Sequence, residues 1–251
     1  MSGRNIDFYR DFLSKTMSAA SKFEFNSDDD AILHIFTLLS SSIELLDNMY
    51  VLALNESKIG IPILLRSILE ASVDIQFILI NKDNYKRIEI ENILLWKGIV
   101  ECAYKDNEYL KNIRNRPEFK KESKENSDKL KSLKNNNIIK ADISTKFENT
   151  IYADAYNSIY AVLCSHSHNG VSAQNERHIT IENGKSRVNM FKETSIEEYD
   201  HYLFMAVFFV FYSIYSINEA FKYKFDNEIN DLRLMLSRIA LIPPRQLNEL
   251  S

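Results

Sequence analysis

The chain has 251 residues, 45% of them hydrophobic, with only five Gly and four Pro. All-β folds spend Gly and Pro on many turns, so this scarcity points to long helices in one large domain. The net charge of −4 and pI near 5.8 argue against a protein that coats nucleic acid, while allowing a local basic patch. Two cysteines, Cys102 and Cys164, are too few for a disulfide scaffold and form no CxxC pair. The first residues lack the apolar core of a signal peptide, and a cytoplasmic location is the expectation.

In chain order, residues 6–22 place Phe8, Phe12, Leu13 and Met17 on one helical face. Ser27, followed by Asp28, Asp29 and Asp30, is a helix start whose acids suit the positive end of the dipole. The helix predicted there runs to Asn55 on a stripe of Ile32, Ile35, Phe36, Leu39, Ile43, Leu46 and Tyr50. Gly60 and Pro62 punctuate the chain, and Pro62 suits the first turn of a helix reaching Asn81 that is apolar on nearly all sides. A further helix covers residues 85–106.

From Lys111 to Lys140 there are ten Lys or Arg against four Asp or Glu, so residues 107–141 read as a basic, exposed helical excursion within the domain. Cations there could touch phosphates, but with Phe119 the sole aromatic they offer no base-stacking platform. A helix is predicted over residues 142–165, with Gly170 as a stop signal. Asn183-Gly184 is a two-residue hairpin turn near residues 178–190. Pairing outward from it gathers Ile179, Ile181, Ser186, Val188 and Met190 on one face and Thr180, Glu182, Lys185 and Arg187 on the other.

Ser195-Ile196-Glu197-Glu198 is a capping box opening a long aromatic helix. Its uncharged run, Tyr202 to Ile217, is 16 residues, short of the roughly 17–20 that a bilayer requires. It is expected as a core helix or a dimer interface and not as a membrane span. A short helix over residues 228–240 precedes the Pro243-Pro244 tail. The whole is an all-α bundle of about six or seven helices with one hairpin.

Two polar groups stand out. Arg66, Glu70 and Asp74 recur every four residues on the most apolar helix, which stacks them on one face. Charges on a buried helix must be paired or solvated. They form either a structural ion pair or a polar pocket in which Arg66 holds an anion and Glu70 is base or orienter. The second group is Cys164-Ser165-His166-Ser167-His168 at a helix end, where the dipole favours imidazolium. His168 with Glu70 would make an acid–base couple. Cys164, His166 and His168 lack a fourth partner for structural zinc, so no metal and no other cofactor is expected. Walker A, GxGxxG, GxSxG and HExxH patterns do not occur.

Leu65-Arg66-Ser67-Ile68-Leu69-Glu70-Ala71 and Tyr160-Ala161-Val162-Leu163-Cys164-Ser165-His166-Ser167-His168 resemble paired motifs of an uncharacterised bacterial helical family, a domain of unknown function. That family pairs Arg-x-x-x-Glu on one helix with Tyr-x-x-Leu-Ser-x-x-x-His at another helix's end. Arg66 and Glu70 match the first, and Tyr160, Leu163 and His168 the second, while Cys164 stands where Ser is usual. The resemblance spans Ala31 to Gly170. It implies a bundle of the abortive-infection or toxin-associated kind, some of which are ribonucleases built on Arg, four to six residues, then His. Between Lys146 and Arg177 there is no Lys or Arg, so His166 and His168 cannot complete that motif. The expectation is an inter-helix pocket of Arg66, Glu70 and His168 for a nucleotide or RNA phosphate, in phage defence or on a mobile element. The alternative is a non-enzymatic interaction protein, a homodimer joined through the aromatic helix.

Overall fold

The structure is a computed structural model that describes residues 3–57, 59–105, 107–110, 112–190 and 197–240. Among them are ten α-helices and one two-stranded antiparallel sheet. The helices are α1 (Gly3–Ala20), α2 (Asp30–Leu54), α3 (Gly60–Ile80), α4 (Asn84–Tyr104) and α5 (Pro117–Asn135), then α6 (Ile143–Glu148), α7 (Ala161–Ser167), α8 (Val171–His178), α9 (Glu197–Phe221) and α10 (Asp226–Ala240). The strands β1 (Ile179–Glu182) and β2 (Lys185–Val188) lie between α8 and α9.

The helix count exceeds the six or seven expected, chiefly because residues 142–178 break into short pieces. The continuous helix predicted over 142–165 stops after Glu148, where Thr150 and Tyr152 make turns. Thr150 Oγ1 donates to Phe147 O and accepts from the Tyr152 amide. A 3₁₀ turn (Ala153–Ala155) and a π-helical turn (Tyr156–Tyr160) then lead into α7. Asn169, not Gly170, takes the left-handed conformation (φ 54°) that ends α7, and the Gly170 amide closes the cap on Ser165 O at 2.8 Å.

The chain divides into two compact units, Ile80–Lys146 and the remainder. In the larger unit α2 packs on α1 and α9, and α10 packs on α1 and α9. Its core is made by Phe12 and Tyr9 of α1, Leu39, Leu46 and Met49 of α2, Leu65, Ile68 and Leu69 of α3, Val207, Val210 and Ile214 of α9, and Leu232 and Leu236 of α10. Each such side chain contributes about 1.5–3 kcal/mol on burial. The α1 stripe is rotated from the sequence expectation: Thr16 and Ala19 are buried and Met17 is exposed. The cap of α2 is Asp29 in place of Ser27, its Oδ1 accepting from the Ala31 and Ile32 amides at 3.2 and 3.4 Å.

By length and composition alone, Asp30–Leu54 and Asp200–Phe221 could each cross a membrane. Helix α9 is longer than its 16-residue apolar run, and Leu203, Ala206, Val207, Val210, Ile214 and Ile217 are buried inside its own unit. Ser213 and Ser216 of that helix meet Ser72 and Gln76 of α3, so polar groups are matched within the core.

In the smaller unit α5 lies on α4 through a cluster of Ile90, Ile93, Leu130 and Leu133. Lys129–Glu89 (2.5 Å) and Arg87 Nε to Ile139 O (3.2 Å) brace it. Lys146, almost fully buried, is paired with Glu91 at 3.3 Å. The hairpin forms in the predicted register, Ile179 with Val188 through Glu182 with Lys185, but Ile181, Val188 and Met190 on its apolar face are exposed. Ser195 and Ile196 of the capping box and the Pro243-Pro244 tail lie outside the described residues.

Candidate functional site

Helix α3 presents Arg66 and Glu70 one turn apart on the margin of an otherwise apolar helix. The π-helical turn and α7 bring a second column beside them. In that column Tyr160, Cys164 and His168 follow one another at helical spacing, as Arg66 and Glu70 do on α3.

Arg66 Nη2 lies 2.9 Å from Glu70 Oε1 and donates to the Tyr160 hydroxyl at 3.4 Å. Tyr160 in turn donates to the same Glu70 oxygen at 2.8 Å. Arg66 Nη1 meets His168 Nε2 at 3.2 Å. A guanidinium can only donate, so Nε2 accepts and the ring proton sits on Nδ1. Arg66 also lies over the face of Tyr160, 5.6 Å from the ring centroid. Its Nε is shielded from solvent and has no hydrogen-bond partner among the described residues.

The four side chains are graded in exposure. Tyr160 is buried, the Arg66 and Glu70 side chains are 22% and 34% exposed, and His168 is on the surface. Burial alone would lower the Arg66 pKa, but the Tyr160 bond and the Glu70 charge together raise it, so the cation is fixed. Burial pushes the Tyr160 hydroxyl well above its ordinary range; the bond from Arg66 opposes this, and the Glu70 carboxylate adds to it. Tyr160 therefore remains a donor at neutral pH.

The expected convergence of Arg66, Glu70 and His168 is present, with Tyr160 as the link between the two columns. Asp74 is half-buried one turn beyond Glu70, and Cys164 is a half-buried free thiol beside the Tyr160 hydroxyl. His166 is not in the cluster. It is buried, and its Nδ1 accepts from Arg177 Nη2 at 2.9 Å. Arg177 was missed by sequence reasoning, since nothing in a spacing of eleven residues across a helical corner signals this return contact. Among the described residues no group of three or more His, Cys, Asp or Glu is placed to hold a metal ion.

Fold and site together define an α-helical protein whose polar cluster is built across two helices at a half-buried margin. The model of a family of unknown function, DUF5677, matches residues 32–186, and the chain belongs to that family. The match runs from α2 into β2 and contains every residue of the cluster. Neither a curated protein nor a solved structure matches the chain.

Proposed function

We propose that Arg66, Tyr160, Glu70 and His168 form an anion-binding site for the phosphate group of a nucleotide or RNA, in phage defence or on a mobile element. The observation that carries this reading is the contact between Arg66 and the exposed His168 ring. A purely structural pair with Glu70 needs no imidazole at the surface. With Nε2 occupied by Arg66, His168 offers an Nδ1–H donor beside a fixed cation, a combination that suits a phosphoryl oxygen. Glu70 Oε1 already receives two donors, so its role is to orient Arg66 and Tyr160. Any proton transfer to the ligand then falls to His168.

The test is calorimetric titration of ATP and of a short oligoribonucleotide into the full chain and its variants. Arg66→Ala is expected to weaken binding by at least about tenfold, the scale of one charge-assisted contact. His168→Ala should weaken it less, with thermal stability unchanged because the ring is exposed. Equal affinity of the Arg66→Ala protein, or no binding of either ligand by the native chain, would overturn the reading.

A further inference from the structure

We propose that His166 and Arg177 form a proton-operated latch between α7 and α8 that governs whether the site at His168 is assembled. The second half of this statement rests on the reading of the cluster as an anion site. The first half stands on geometry alone.

His166 is buried at the C-terminal end of α7, two residues before His168. Arg177, in the last turn of α8, reaches back across the corner. Its Nη2 meets His166 Nδ1 at 2.9 Å and the His166 carbonyl at 3.3 Å. Since arginine has no acceptor, Nδ1 must carry the lone pair, and the contact exists only with the ring neutral. A second proton on the ring would put an N–H against an N–H, and two cations within hydrogen-bond distance. The titratable groups facing the ring are Arg177 and Glu176 of α8 and, edge-on at 6.4 Å between centroids, Tyr202 of α9, which carries His201 against its own ring.

Burial and the Arg177 charge hold the His166 pKa below its usual 6.5, and Glu176 opposes them only in part. The released state therefore binds more protons than the latched state. The hold is complete above the unfolded value and is lost as pH falls through it and then through the lower folded value.

What the latch secures is α8 and the strands beyond it. Apart from Arg177, the corner is held by Gln174 Nε2 on Asn169 Oδ1 (2.8 Å) and the Gly170 amide on Ser165 O. His168 is the C-terminal cap of α7 and sits at this corner. Release of Arg177 frees α8 to swing on the Asn169–Gly170 turn and removes the restraint that keeps His168 on Arg66.

The experiment is hydrogen exchange of residues 171–188 in the full chain, compared as protection factors at about pH 7.5 and about pH 5, either side of the histidine range. The native protein is expected to lose about tenfold or more in protection on acidification. His166→Asn supplies an amide oxygen in place of Nδ1 that does not titrate, and should show no such step. A step of the same size in His166→Asn, or none in the native chain, would refute the latch. If that variant does not fold, Arg177→Met replaces it. Low protection at both pH values then supports the latch, and a native-like step sinks it. ATP affinity, measured alongside, should fall with the protection factors in the native chain and stay level in His166→Asn. Affinity indifferent to the opened latch overturns the coupling. Absence of ATP binding at both pH values defeats the anion-site reading and leaves the exchange result to stand by itself.

Discussion

Tyr160 is the residue on which the cluster turns, because it is the buried member that accepts from Arg66 and donates to Glu70. Such a chain of donors polarises its members, and removing the middle strands both ends. Tyr160→Phe keeps the ring under Arg66 and deletes only the hydroxyl. It is expected to cost about 1–2 kcal/mol in chemical denaturation, since Glu70 and Arg66 are half-exposed and water replaces part of what is lost. Arg66 and Glu70 were legible in the sequence because two charges on an apolar helix demand an explanation. His168 and Tyr160 were legible through the family motif. Their meeting was not, since nothing local states which face of α3 the α7 column lies against. His166 and His168 look alike in sequence, two residues apart, yet the helix turns them some 200° from one another, one toward Arg66 and one toward Arg177.

At the scale of elements, the corner between α7 and α8 is set by space. A methyl group on Gly170 would collide with the Ser165 hydroxyl and lie 3.2 Å from the Ser165 carbonyl, although its φ of −56° is open to any residue. Gly170→Ala should therefore lower the denaturation midpoint by the equivalent of about 1–3 kcal/mol through overpacking, whereas a glycine kept for left-handed backbone would act through φ. The sequence marked Gly170 as the stop, and the stop is real, but Asn169 supplies the left-handed residue. The hairpin was legible in register because Asn183-Gly184 fixes the pairing. Its solvation was not, because alternation says which residues share a face and leaves open what covers it. The segment over 142–165 misled for the opposite reason: its apolar spacing is helical, and only the side-chain bonds around Thr150 break it.

For the whole molecule, the long apolar helices announced themselves by periodicity, and α2, α3 and α9 lie close to where that pattern puts them. The division into two units did not, because residues 80–146 carry no proline- or glycine-rich linker at either margin. The matched family segment, residues 32–186, also ends short of a folding boundary. It omits α9, whose Leu203, Val207, Phe209, Val210, Phe211, Ile214 and Ile217 are buried in the larger unit. At about 1.5–3 kcal/mol each, these side chains outweigh the net stability of a typical domain, about 5–15 kcal/mol. A fragment of residues 32–186 should therefore show helical circular dichroism without a cooperative thermal transition, and a sharp native-like transition would contradict this account of the core. The π-helical turn at Tyr156–Tyr160 carries the same logic into heredity. Its wider hydrogen-bonded ring holds one residue more than an α-helical turn, so the loss of a single codon there would tighten it and rotate all that follows by about 100°. His168 would leave Arg66 with every helix still formed. In this fold, one in-frame deletion separates a lineage that keeps the cluster from one that has discarded it.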